Sequence, residues 1–261
     1  MTCVSRLLID LSKSIAKSRA SLPCHADSGS HLAILPEYHL TSWVSSSPSF
    51  ASCCDYSSKL YLPKYKLLAK ELNIHIVPGT IIISTTTTSS TTTPQETQLC
   101  NMAYLIAAGT GKILASYRYQ KRILCHPERD ILTPGPLPSH VAFDLPIPRT
   151  SDIIRTEIDP AVLAINPNSE TQSLDAVVAA RSYENTCAVV LCNAFGRSQV
   201  SLLMMGCLGD GPLGVEEKAS LQVKVDFGIV RFAQEEYRVR RDVNGDGWIS
   251  ERLGGDDTKR N

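Results

Sequence analysis

The chain has 261 residues, 43% hydrophobic and 20% charged, ordinary values for a globular protein that can bury a sizeable core. Its 26 basic and 26 acidic side chains cancel, which removes the long-range attraction that nucleic-acid or anionic-membrane binding relies on. No run approaches the roughly 18 uninterrupted apolar residues of a membrane span, and Arg6, Asp10 and Lys13 break the apolar positions between Cys3 and Ile15 where a secretory leader needs continuity.

From the N-terminus, Val4, Leu7, Leu8, Leu11 and Ile15 recur at helical spacing and predict an amphipathic helix over 2–20, with Lys13, Lys17 and Arg19 near its C-terminal end. His31–Leu35 reads as a short strand closed by Pro36. The Ser-rich stretch holding Cys53 and Cys54 reads as an exposed loop, and Tyr61–Leu72 as a helix with Pro63 near its start. Ile74–Ile83 is β-rich and interrupted by Pro78-Gly79, after which the Ser/Thr run within 84–94 reads as a surface loop with no apolar payload. Ala103–Ala107 and Lys112–Tyr119 flank Gly109-Thr110-Gly111 as a hairpin, and Tyr119–Gly135 follows as a basic, polar segment ending in a Pro-Gly turn. His140–Leu145 is a further strand. Ser169–Asn185 reads as a helix opened by a Ser169–Gln172 capping box, then Cys187–Asn193 as a strand. Val200–Leu208 and Leu221–Phe227 are the last strands, and Gly228–Tyr237 a final helix. This order implies a mixed α/β fold, layered in the α+β manner.

Nine cysteines without CxxC pairs suit reduced, cytoplasmic thiols better than a disulfide framework or a zinc site. Asp242, Asn244, Asp246 and Gly247 match the opening of a calcium loop, but Leu253 stands where the bidentate glutamate belongs. The histidines show no HxH or HxxxH pattern, so no metal and no cofactor is assigned.

The chemistry concentrates in two places. Glu37 directly follows a strand, where a sheet edge can hold a carboxylate rigidly. Lys121 lies in the polar segment after the second hairpin strand. A lysine beside a carboxylate keeps it ionised and can stabilise an oxyanion, and the carboxylate can deprotonate a thiol. Leu35-Pro36-Glu37 and Tyr119-Gln120-Lys121, continued by His126–Arg129 and Leu132–Gly135, resemble the glutamate and lysine motifs of the nitrilase (carbon–nitrogen hydrolase) superfamily. Ala164–Glu170, Ala180–Gly196, Ser198–Val200 and Val225–Asp242 resemble the second half of its amidase-like members, so the likeness runs along nearly the whole chain in order.

That resemblance implies an αββα sandwich over 1–243, a polar tail over 244–261, and a small amide or nitrile as substrate of an active member. It implies Glu37 as base, Lys121 as oxyanion stabiliser and Glu128 as auxiliary positioner. It also implies a nucleophilic cysteine on a strand followed by a helix and another strand, ahead of Ala164. Here sixteen residues, Leu145–Pro160, separate Asp144 from Ala161, with three prolines and no cysteine. A strand–helix–strand unit needs about 30 residues. The sandwich is thus expected to be incomplete, with a deletion near 146–160 and no nucleophile; its opening strand is expected to be missing too. Cys125, Cys187 and Cys192 are the alternative thiols, read as structural. Three readings follow: a hydrolase of small amides or nitriles by ancestry, inactive as written; a non-catalytic partner of intact relatives or of itself; or a truncated form of an active amidase.

Overall fold

The computed structural model describes residues 29–38, 40, 50–87, 96–122, 124, 128–136, 143–151, 153–156, 173–184, 187–192, 199–202, 207–210 and 226–237. The expected helix over 2–20, the Ser169–Gln172 box, Cys125, the calcium-loop likeness and all but the last two residues of the strand at Leu221–Phe227 lie outside these residues. The chain gathers into two compact units, one of 1–169 with 192–195 and one of 170–191 with 196–261.

In the first unit, β1 (Leu32–Ile34) pairs in parallel with β2 (His75–Val77), and the long β4 (Glu96–Ile106) pairs antiparallel with β2, β3 (Thr80–Thr87) and β5 (Ile113–Gln120). Pro78 has no N–H to give a ladder and Gly79 takes φ +59°, so the pair divides β2 from β3 as expected. Between β1 and β2 runs α1 (Phe50–Leu72), which buries Tyr61, Tyr65, Leu68 and Ala69 against Ile74, Ile76, Ile81, Tyr104 and Ile106 of the sheet. This helix starts eleven residues before the expected Tyr61 and takes in Cys53 and Cys54, which are therefore helical rather than in a loop. Pro63 is exposed, so its missing hydrogen bond falls on the wet side of a helix held by its other face.

The first four residues of the Ser/Thr run depart from their reading as a loop, and 88–94 lie outside the described residues. Ser84–Thr87 continue β3 and pair with Leu99 back to Glu96. β-branched threonine fits a pleated ladder, and a long partner strand supplies the pairing that composition alone does not reveal. Pro134-Gly135 makes no turn: the segment lies along the sheet, with Thr133 N–H donating to Leu99 O at 2.8 Å and Gly135 N–H to Lys121 O at 3.0 Å.

β6 (Phe143–Pro146) and β7 (Ile153–Thr156) form a two-stranded hairpin. Where the resemblance would place the cysteine-bearing unit, the described chain turns back on itself within six residues. Leu145 of β6 packs on Val77 and Leu105, and Arg149 Nη2 donates to Ser30 O at 2.5 Å.

The second unit carries α2 (Ser173–Glu184), the antiparallel strands β8 (Ala188–Leu191), β9 (Gln199–Leu202) and β10 (Cys207–Asp210), and α3 (Phe227–Tyr237). The single strand expected over Val200–Leu208 is two strands, and Phe227 opens a helix rather than closing a strand. Val178 packs on Leu191, and Ala233 on Ala188, Ile229 and Val230. Ser182 ties α2 to β8: its hydroxyl donates to Cys187 O at 2.6 Å, and Cys187 N–H returns to Ser182 O at 3.1 Å. No described helix is long and apolar enough to cross a membrane.

Candidate functional site

Glu37, Lys121 and Glu128 come together. Lys121 Nζ donates to Glu37 Oε1 at 3.1 Å and to Glu128 Oε1 at 2.8 Å, and the three residues keep 7%, 2% and 1% of their surface. Two further side chains close the group into a ring. Asn101 Nδ2 donates to Glu37 Oε1 at 2.9 Å and to the Tyr38 hydroxyl at 3.0 Å, and that hydroxyl donates to Glu128 Oε1. Each carboxylate thus bridges two donors through a single oxygen.

The local chain explains the placement. Glu37 follows β1 after Pro36, and Tyr38 takes a left-handed φ of 54°, a conformation costly for a bulky residue. Its N–H donates to Thr80 Oγ1 at 3.4 Å, and its ring packs with Ile82, Leu124 and Leu132. Asn101 sits in β4 on the face opposite α1, as the neighbouring Met102 packs towards that helix. Lys121 follows β5, its N–H given to Asn101 O at 2.9 Å. Glu128 starts a turn closed by Ile131 and Leu132 N–H on its carbonyl. Gly135 meets Lys121 because it lacks a Cβ, which would stand 2.4 Å from Gln120 O.

Burial pushes the Glu37 carboxyl up from its usual 4.5, and the Lys121 cation only partly offsets this. Burial would lower Lys121, but the Glu37 and Glu128 carboxylates prevail and hold its ammonium above the usual range. One cation among two carboxylates leaves net negative charge in a buried place. A carboxyl raised in this way takes up a proton more readily than a free one. Glu37 Oε2 and the third Nζ–H of Lys121 have no hydrogen-bond partner among the described residues. Asn101 Oδ1 is also buried without a partner there.

No thiol joins this arrangement among the described residues. Among the described residues, the side-chain hydrogen bonds of Glu37 and Lys121 go to each other, to Glu128 and to Asn101. Cys100 Sγ lies 3.6 Å from Thr85 Oγ1, and Cys192 Sγ donates to Ile34 O at 3.4 Å. Cys187 lies at the end of α2 beside Ser182. No group of three or more metal-ligating side chains occurs among the described residues.

The sequence motifs singled out Glu37, Lys121 and Glu128 but not Tyr38 or Asn101. The available signal was Asn101 itself, a lone amide inside the apolar run Leu99–Ile106, where a buried polar side chain requires partners.

No family model matches the chain, and no curated protein matches it in sequence. Solved structures do. The NitFhit protein of C. elegans superposes with a TM-score of 0.63 at 17% identity, over 89% of this chain and 61% of that one. An amidase from Nesterenkonia sp. AN1, described with acrylamide added at its active-site cysteine, gives 0.56 at 15% identity over 89% and 94%. Nit3 of Saccharomyces cerevisiae, a member of branch 10 of the nitrilase superfamily, gives 0.62 at 14% over 92% of each chain. The chain therefore has the α+β fold of nitrilase-superfamily proteins, and it spans less than two thirds of NitFhit.

Proposed function

We propose that this chain is a nitrilase-type carbon–nitrogen hydrolase by ancestry that keeps the acid–base half of the machinery and does not turn amides over. In this reading Glu37 is the base that would take a thiol proton. Lys121 would stabilise the oxyanion formed as sulfur adds to the amide carbon, and Glu128 positions Lys121. The substrate class is the small amides, by analogy with the amidase among its structural neighbours, and a cytoplasmic setting fits nine cysteines without paired spacing.

The observation that supports the reading is a closed ring without a sulfur. Both carboxylates and the ammonium are bonded and buried, no thiol joins Glu37 or Lys121 among the described residues, and the sequence has no cysteine from 126 to 186. Without a nucleophile, attack would fall to water, a weaker nucleophile than thiolate, and no covalent intermediate would divide the barrier.

Ammonia release from acetamide, propionamide, butyramide and the matching nitriles tests this. The purified full chain is expected to release none above a buffer blank. Release that disappears in Glu37→Gln would overturn the proposal.

A further inference from the structure

Away from the carboxylate ring, the first unit buries a second titratable side chain, His75 of β2, which keeps 5% of its surface. Its ring spans two distant segments. Nε2 lies 2.7 Å from Pro146 O at the end of β6, and the Ala108 N–H in the β4–β5 turn donates to Nδ1 at 3.1 Å. A nitrogen that accepts an N–H carries no proton, so the imidazole is neutral and its Nε2–H donates to Pro146. This bond joins Leu145 packing and the Arg149–Ser30 contact in fastening the β6–β7 hairpin to the first strands.

We propose that His75 is an acid-released latch: protonation of its ring sets the β6–β7 hairpin free from β2 while the β3–β4–β5 ladder stays intact. A proton arriving at Nδ1 meets the Ala108 N–H, so the bond to the turn is lost, donor facing donor. The resulting cation is buried, with Pro146 O as its bonded acceptor and the Ile106 carbonyl as a second, insufficient stabiliser. It relaxes by turning to water, which breaks that bond as well and uncovers Leu145, Val77 and Leu105.

The surrounding charges favour this direction. Burial pushes His75 below the usual imidazole 6.5, and His31, just before β1, adds to the effect; the Pro146 and Ile106 carbonyls act the other way without offsetting it. Asp144 of β6 and Lys112 of the β4–β5 turn are exposed to water, which screens them from the ring. A depressed histidine gives stability that is present above 6.5 and lost as pH falls towards its folded value. Hairpin opening should then rise by up to about tenfold per pH unit below 6.5.

Hydrogen exchange of the full chain between pH 7.5 and 4.5, corrected for the intrinsic pH dependence, tests the latch. The hairpin peptides over 143–156 are expected to lose protection on acidification while those of β3, β4 and β5 keep theirs, and His75→Gln is expected to abolish the pH dependence. Protection over 143–156 that is flat with pH, that falls equally in His75→Gln, or that falls together with β3–β5 overturns the proposal. Should the variant not fold, imidazole nitrogen shifts of the wild-type chain at pH 7.5 decide. An unprotonated Nδ1 is expected, and a proton on Nδ1 refutes the latch.

Discussion

Lys121→Met is expected to cost the first unit about 3–5 kcal/mol, the range for removing one partner of a buried ion pair. Lys121 is the cation between Glu37 and Glu128, at 3.1 and 2.8 Å, and its loss leaves two carboxylates facing each other out of water. Glu37→Gln should behave differently and fall within about 1 kcal/mol of wild type at pH 7. Glutamine keeps a carbonyl oxygen for Lys121 and Asn101, Lys121 keeps Glu128, and one disfavoured charge disappears. The sign follows from the raised Glu37 pKa: the stability it gives is present below 4.5 and lost as pH rises through the folded value. Glutamine cannot ionise, so the substitution removes this pH dependence together with the cost of the buried charge. Urea unfolding of the two variants side by side checks this, and equal costs would contradict the charge assignment.

Gly79→Ala is the second large effect. Gly79 has φ +59°, and a Cβ there would stand 1.9 Å from Pro36 O and 2.7 Å from Pro36 C. Both are backbone atoms, so no side chain can swing away. Left-handed φ in a non-glycine residue costs on the order of 1–3 kcal/mol before any clash, and the displaced peptide is the one that delivers Glu37. The variant is expected to lose about 3 kcal/mol or more, counting strain and displacement together. Its refined coordinates should show Glu37 Oε1 out of reach of Lys121 Nζ. A stable Gly79→Ala protein with the Glu37–Lys121 bond intact would contradict the account of how the loop after β1 is held.

The site was legible from sequence to the extent that its chemistry sits in short motifs at strand ends. Leu35-Pro36-Glu37 closes β1 and Tyr119-Gln120-Lys121 closes β5, so two motifs 84 residues apart named partners that do meet. Tyr38 was not legible because its role depends on a left-handed turn that points the hydroxyl back at Glu128. The elements were read well where apolar period and turn residues agreed, as in β2, β3 and the β4–β5 hairpin. They were misread where tertiary pairing overrode composition. Serine- and threonine-rich stretches became the first turns of α1 and the end of β3, because a core face and a partner strand were waiting for them.

The β6–β7 hairpin has the most direct bearing on function. A chain that reverses between Pro146 and Ile153 has no length there for a strand, a helix and a second strand. In the proposed reading, the ring formed by Glu37, Lys121, Glu128, Tyr38 and Asn101 is a base and cation that no thiol joins among the described residues.

Acrylamide labelling resolved by peptide mapping puts this to the test most directly, since a cysteine activated by Glu37 adds to the alkene faster than its neighbours do. The expected result is slow addition at accessible cysteines, with every rate unchanged in Glu37→Gln. Rapid addition at any one cysteine, Cys125 and Cys192 included, that slows in Glu37→Gln would show a working nucleophile and contradict the account.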